Sequence, residues 1–147
     1  MNIIIKEMQN KDLSEVLNLY ADGDIDNGNI LSLETAKKIY NKIILYPNYK
    51  IYVARYNNKI VGTFSLIILD NIIHLGKSSG LVEAVVVDKN FRSKGIGKNM
   101  MEYAINMCKQ NNCYKMSLSS NINRKKAHKF YEGLGFKKHG YSFIIKI

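Results

Sequence analysis

Gly95 and Gly97 stand one residue apart in the stretch Val85-Val86-Val87-Asp88-Lys89-Asn90-Phe91-Arg92-Ser93-Lys94-Gly95-Ile96-Gly97-Lys98, with Arg92, Lys94 and Lys98 close around them. A β-branched run gives way to a short polar loop, and the glycines open a long amphipathic pattern. These residues read as a strand, a glycine-bearing turn and a helix N-terminus. Unpaired backbone N–H groups and the positive end of the helix dipole make such a terminus an anion site. Glycine lets an anion come close to the backbone, and the neighbouring cations add charge. The chemistry on offer is the grip of a phosphorylated ligand; the alternative is a tight strand-to-helix connection and nothing more. Upstream, Glu83 is the lone carboxylate in the otherwise apolar run Leu81–Val87. A charge in a central strand calls for a reason, either proton transfer or a structural ion pair. His74 stands in the stretch just before that run.

The pattern Arg92-x-x-Gly95-x-Gly97 is neither the dinucleotide G-x-G-x-x-G nor the P-loop G-x-x-x-x-G-K-S/T. A second cluster, Ala127-x-x-Phe130-Tyr131-x-x-x-Gly135-Phe136, follows with one expected helix and one expected strand between. In this order and spacing the two resemble the GNAT superfamily of acyl-CoA-dependent N-acetyltransferases. The first resembles its pyrophosphate loop, R/Q-x-x-G-x-G/A, and the second its closing motif. With the element order also matching, the resemblance covers essentially the whole chain.

That resemblance implies acetyl transfer from acetyl-CoA, as co-substrate, to a primary amine by direct attack. It implies that backbone N–H groups of Arg92, Ser93, Lys94, Gly95, Ile96, Gly97 and Lys98 hold the pyrophosphate. The pantetheine arm would pair with Val85, Val86 and Val87 like an extra strand. Amide donors there would stabilise the developing oxyanion, and removing such a donor typically costs about 3 kcal/mol. Tyr131 matches the family's general acid, which protonates the departing thiolate; a tyrosine that only packs under the last helix is the alternative. An alkylamine with a pKa near ~10 is mostly protonated at neutral pH, so a base helps, and Glu83 is the candidate. Glu83 and His74 are also candidates to line the acceptor pocket. Many members carry Asn seven residues before the tyrosine; here that residue is Arg124, a candidate contact for a CoA phosphate. Glu83-Ala84-Val85-Val86-Val87-Asp88 and Asn112-Cys113-Tyr114-Lys115 locally resemble glucosamine-6-phosphate N-acetyltransferases. This points to an amino-sugar or similar small amine. Acetylation of protein or peptide amines, and a non-catalytic acyl-CoA sensor, are the other readings. The fold allows a homodimer.

The elements that must position these residues follow from periodicity. Ile3–Ile5 reads as a strand, and Leu13, Val16, Leu17 and Tyr20 as the face of a helix started near Asn10, with Asp12 in its first turn. Ala21–Asn29 is a polar loop, expected to be mobile and to form part of a substrate-site wall. Its aspartates lack the closing Glu of a Ca²⁺ loop, so no metal site is expected there. Ser32 caps a second helix with Ala36, Ile39, Tyr40, Ile43 and Ile44 inward, stopped by Pro47. Tyr49–Tyr56 and Lys59–Leu69 form a hairpin around Asn57-Asn58. Asp70–Gly80 is a loop and Leu81–Val87 a strand. Met100, Met101, Ala104, Ile105 and Cys108 face inward from the helix after Gly97. Cys113–Leu118 is a strand. Lys125–Leu134 is a helix with Ala127, Phe130 and Leu134 inward and Gly135 as its stop. Phe136–Ile147 is expected to supply two final strands. The fold class expected is α+β: a GNAT-like single domain over residues 1–147, with a mixed, mostly antiparallel sheet and helices on both faces.

Composition agrees. The 147 residues are 46% hydrophobic and carry a net charge of +10, an ordered chain of one-domain size with an excess of positive charge. The cations concentrate at Arg92–Lys98 and Arg124–Lys129. A polyanionic ligand such as coenzyme A accounts for them more economically than nucleic acid, and no nucleic-acid partner is expected. No apolar run reaches the roughly 18 residues of a membrane span, and no signal peptide is legible, so the expected location is cytoplasmic. Cys108 and Cys113 match no C-x-x-C motif, and neither a disulfide nor a metal site is expected.

Overall fold

Asn57 and Asn58 both adopt left-handed backbone, with φ of 46° and 63°. This is the geometry of a two-residue type I′ turn, whose twist suits the strands it joins. It connects β2 (Tyr49–Tyr56) to β3 (Lys59–Leu69), the hairpin expected from their patterns. In this computed structural model, which describes residues 1–22 and 25–147, the hairpin is the centre of a five-stranded sheet in the order β1-β2-β3-β4-β5. The other strands are β1 (Ile4–Glu7), β4 (Ser78–Val87) and β5 (Cys113–Leu118). Pairing from β1 through β4 is antiparallel throughout. The helices are α1 (Leu13–Asp22), α2 (Leu33–Ile43), α3 (Ile96–Gln110) and α4 (Lys125–Gly133). The class is α+β, mostly antiparallel, as expected. The chain divides into two compact units, Met1–Ser117 and Leu118–Ile147.

In the first unit the sheet is covered on both faces, and alternation along the strands decides which residue serves which face. Ile51 and Val53 of β2 join Leu13, Val16 and Leu17 of α1 and Ala36 and Tyr40 of α2 in one buried cluster. The opposite face receives Ile96, Met100, Met101, Ala104 and Cys108, the buried stripe of α3. Glycines allow that close approach. A Cβ on Gly62 would lie 2.7 Å from Met100 Sδ, and one on Gly80 2.3 Å from Cys108 Sγ. Tyr52, Phe64 and Tyr103 pack together beside this seam, with ring centroids 5.2–6.5 Å apart.

Helix starts depart from expectation at one end. Ser32 caps α2 as predicted, accepting from the Thr35 N–H at 3.2 Å. At α1, however, Asn10–Asp12 forms a single 3₁₀ turn whose N-cap is Gln9 rather than Asn10, with Asp12 in the first turn as expected. The Asp12 carboxylate accepts from the Gln9 N–H at 3.0 Å and pairs with Arg55 at 2.6 Å. Helix α1 continues through Asp22, into what the sequence suggested was loop. Gly23 and Asp24, from the same expected loop, lie outside the described residues.

Other corrections concern apolar residues without a partner. Ile39 and Ile44 are 45% and 47% exposed rather than inward, because α2 turns only Ala36 and Tyr40 fully into the core. Strand β4 begins at Ser78, three residues earlier than predicted, since its pairing with β3 extends to Leu69↔Ser79. Helix α4 has no fully buried residue. Among the described residues no strand follows α4: Tyr141, Phe143, Ile144, Ile145 and Ile147 are all more than 80% exposed. High β propensity makes a strand only where backbone groups find a neighbour. Among the described residues, no helix is long and apolar enough to cross a membrane.

Candidate functional site

The first unit contains a break in β4 next to Glu83. Thr63 pairs with Val86 and Ser65 with Glu83, so the single residue Phe64 stands opposite both Ala84 and Val85. This is a β-bulge. It carries strain: Ala84 has φ 50°, a left-handed conformation that a non-glycine residue enters at a cost of roughly 1 kcal/mol or more. Ala84 and Val85 drop out of the ladder with β3, so their backbone groups are released from that pairing. The bulge also resets the alternation, placing Glu83 and Val86, three residues apart, on the same face. Glu83 itself is exposed. Among the described residues it pairs with no basic side chain within 4.0 Å, which removes the structural ion pair as its reason for being there.

The glycine turn follows directly. Asp88 ends β4, with its N–H donating to the Val61 carbonyl at 2.9 Å. Burial works against the Asp88 carboxylate, but hydrogen bonds from the Asn90 N–H at 2.9 Å and Lys59 at 3.0 Å outweigh it and hold its pKa below the usual value. A 3₁₀ turn over Lys89–Phe91 comes next. The Lys59 and Lys94 ammonium groups lie over the Phe91 ring, 5.3 and 5.0 Å from its centroid, with the Tyr56 ring against it at 6.1 Å. Ser93 and Gly95 both have positive φ, 61° and 81°. Alternation of right- and left-handed residues turns successive N–H groups toward one concavity, an anion-binding nest. Gly95 is the N-cap of α3, and no side chain caps the helix. The first-turn N–H groups therefore have no partner inside the helix or from a cap. A Cβ built on Gly95 meets nothing within 4 Å, so the space over the turn is open.

The predicted cations are arranged differently from a simple ring of charge. Arg92 Nε donates to the Val87 carbonyl at 3.2 Å and Lys94 Nζ to the Asn90 carbonyl at 3.0 Å. Both brace the loop's own backbone while keeping charge beside it. Lys98 lies 3.8 Å from Glu102. Ile96 is buried and anchors the start of α3. Thus β4 and α3 bring Glu83, Val85–Val87 and Arg92–Lys98 into one continuous strand-turn-helix. His74 stands in the β3–β4 connection, its ring packed against that of Tyr114 with centroids 4.2 Å apart and planes tilted by 32°.

The second unit holds the other predicted residues. Arg124 is the N-cap of α4. Tyr131, in the last turn of α4, packs edge-on against Phe130 and Phe136 at 5.1 and 5.7 Å. Burial pushes its phenol pKa up, with Arg124 pulling weakly the other way, so the hydroxyl keeps its proton. Gly135, at φ 90°, ends the helix as expected, its N–H donating to the Glu132 carbonyl at 3.0 Å. His128 bonds the Asn121 carbonyl at 2.9 Å.

Residues 13–136 match the family model described as the acetyltransferase (GNAT) family. The chain belongs to the GNAT family. Among its relatives is a glucosamine 6-phosphate N-acetyltransferase of Trypanosoma brucei brucei, 34% identical over 90 residues, which are 61% of this chain and 59% of that enzyme. An aminoalkylphosphonate N-acetyltransferase of Salmonella typhimurium is 30% identical over 100 residues, 68% of this chain and 64% of that enzyme. The chain thus spans under two thirds of these relatives' lengths. A solved acetyltransferase from Trypanosoma brucei superposes with a TM-score of 0.86 at 26% identity, covering 99% of this chain and 100% of that one. What sequence reasoning missed in this GNAT chain is Ala84. Alanine is no signal for left-handed backbone, and the extra residue becomes visible only when β4 is counted against β3.

Proposed function

We propose that this chain transfers an acetyl group from acetyl-CoA to the primary amine of a small molecule, by direct attack, and that residues 1–147 act as one catalytic domain. The observation that carries the reading is the left-handed Ser93/Gly95 turn that opens α3 immediately after the bulge in β4. Its unpaired N–H groups, open space and retained positive charge suit a pyrophosphate. Arg92–Lys98 would hold that group, and Val85–Val87 would run beside the pantetheine arm. Arg124 adds a cation suited to a CoA phosphate. Acetyl-CoA supplies an acetyl group activated as a thioester. Backbone N–H groups freed at the bulge are the donors for negative charge that develops on the acetyl oxygen. Glu83, exposed and without an ion-pair partner, takes the proton that the amine must lose. Tyr131, whose proton burial retains, returns one to the sulfur.

The relatives point to the acceptor's class. Two are named for glucosamine 6-phosphate and for aminoalkylphosphonates, small amines that also carry a phosphorus oxyanion. A chain of net charge +10 suits such acceptors. Incubation with acetyl-CoA and glucosamine 6-phosphate, glucosamine or 2-aminoethylphosphonate, with products read by NMR, tests this. N-acetylation of the phosphorylated amines in preference to glucosamine is expected. Preference for an unphosphorylated amine or for a peptide N-terminus would overturn the acceptor assignment.

A further inference from the structure

From Asp88 to Lys98 the chain carries five charged side chains, and only Asp88 is negative. A carboxylate beside a turn that takes a polyanion works against binding, so its place there needs a reason. Both of its oxygens are engaged: one accepts from the Asn90 N–H at 2.9 Å, the other from Lys59 Nζ at 3.0 Å. Its backbone is engaged as well, the N–H donating to the Val61 carbonyl and the carbonyl accepting from the Phe91 N–H at 2.8 Å. Burial opposes its charge, but the bonds from Asn90 and Lys59 outweigh burial, so Asp88 is ionised at neutral pH. Lys59 comes from elsewhere in the chain. It opens β3 directly after the Asn57-Asn58 turn and stands opposite Tyr56. Both reach the same loop: Lys59 Nζ lies 5.3 Å from the Phe91 centroid, and the Tyr56 ring 6.1 Å from it. Lys94, also over Phe91, immediately precedes Gly95. The tip of the β2–β3 hairpin therefore grips the loop at Asp88 and Phe91, and Phe91 in turn supports Lys94. The turn needs support, because Ser93 has φ 61°, a conformation that a non-glycine residue keeps only where its surroundings impose it. Stability does not account for the ion pair. The Lys59 side chain is 57% exposed and that of Asp88 12%, and a pair so open to solvent adds little to a fold.

We propose that Lys59 is a positioning residue for coenzyme A, reaching from the β2–β3 hairpin to cancel the Asp88 charge and to hold the Lys89–Gly95 loop in its anion-binding shape. It acts through Asp88 and Phe91 rather than by contact with the ligand. Without it, an uncompensated carboxylate stands beside the bound pyrophosphate, and the loop loses its tie to the hairpin. The proposal rests on the reading that this turn takes the pyrophosphate of acetyl-CoA, and it adds a residue from outside the strand-turn-helix. Sequence patterning marks Lys59 only as the start of a returning strand, because nothing local couples it to Asp88, 29 residues on.

The test is a double-mutant cycle on coenzyme A binding, read by calorimetry at low salt. Lys59→Met raises the Kd about fivefold or more, while Lys59→Arg, which keeps the cation, binds nearly as wild type does. Asp88→Asn keeps an oxygen for the Asn90 N–H and removes the charge; in that background Lys59→Met costs at most about twofold. In turnover, Lys59→Met raises the KM for acetyl-CoA by the same factor and leaves kcat and the thermal midpoint of the free protein in place. Lys37→Met, which removes an equal charge from an exposed position on α2, leaves the Kd unchanged. Equal losses with and without Asp88→Asn would make Lys59 one more surface charge and overturn the proposal, as would a wild-type Kd in Lys59→Met; both results leave acetyl transfer standing. A second readout needs no coenzyme A. Inorganic pyrophosphate shifts the amide resonances of Gly95, Ile96 and Gly97 in the wild type, and Lys59→Met needs a higher concentration for the same shift. A wild type that binds no coenzyme A yet shows this pyrophosphate difference sinks the acetyl-transfer reading and supports the positioning role. A wild type that answers neither ligand overturns both.

Discussion

Tyr131 and Glu83 divide the proton traffic in this account, and each makes a separable prediction. Tyr131→Phe removes the acid. We expect kcat to fall by about 10²-fold or more, the usual scale for a general acid, with the KM for acetyl-CoA unchanged; parallel loss of both would assign Tyr131 to packing. The pH dependence follows from the direction of its shift. Burial raises the Tyr131 pKa above the ordinary tyrosine value of about 10, so the acid keeps its proton throughout the range in which the amine loses its own. The wild-type rate should therefore rise with pH and show no alkaline fall below about pH 10, the ordinary tyrosine value. A falling limb centred below pH 9 would contradict the assignment. At this scale the sequence was readable where residue type is chemistry. Glycines at 95 and 97, a tyrosine at 131 and a carboxylate in an apolar run announce themselves. Ala84 and Ser93 do not, because their left-handed backbone is imposed by strand pairing and by the loop's closure rather than by their own preference.

Elements were legible where one partner suffices. The Asn57-Asn58 hairpin, the Ser32 cap and the stripe of α3 are local or one-sided patterns, and all are present. Elements that need a specific neighbour were less so. The C-terminal Tyr141–Ile147 alternates as a strand would and is exposed, and Ile39 and Ile44 obey helix periodicity without being covered. The α3–sheet seam supplies the sharpest test of packing. Gly80→Ala would put a methyl 2.3 Å from Cys108 Sγ, and overpacking of this kind costs about 1–3 kcal/mol. Its denaturation midpoint should fall accordingly, and Cys108→Ala in the same chain should recover part of the loss. An unchanged midpoint for Gly80→Ala would mean that α3 does not sit as closely on β4 as described.

For the whole molecule, net charge is the property that reaches beyond the site. With +10 on the chain and a polyanionic co-substrate, association is steered by charge and screened by salt. The kcat/KM for acetyl-CoA should fall several-fold between low and high ionic strength while kcat holds; an independence from salt would show that the positive surface takes no part in capture. The central claim is that this GNAT chain moves acetyl groups from acetyl-CoA to amines. It is tested most directly by thiol release from acetyl-CoA with and without glucosamine 6-phosphate, 2-aminoethylphosphonate, polyamines, amino acids and short peptides. Release that depends on a phosphorylated small amine is the predicted result. Silence across the whole panel, from folded protein with acetyl-CoA bound, would contradict it.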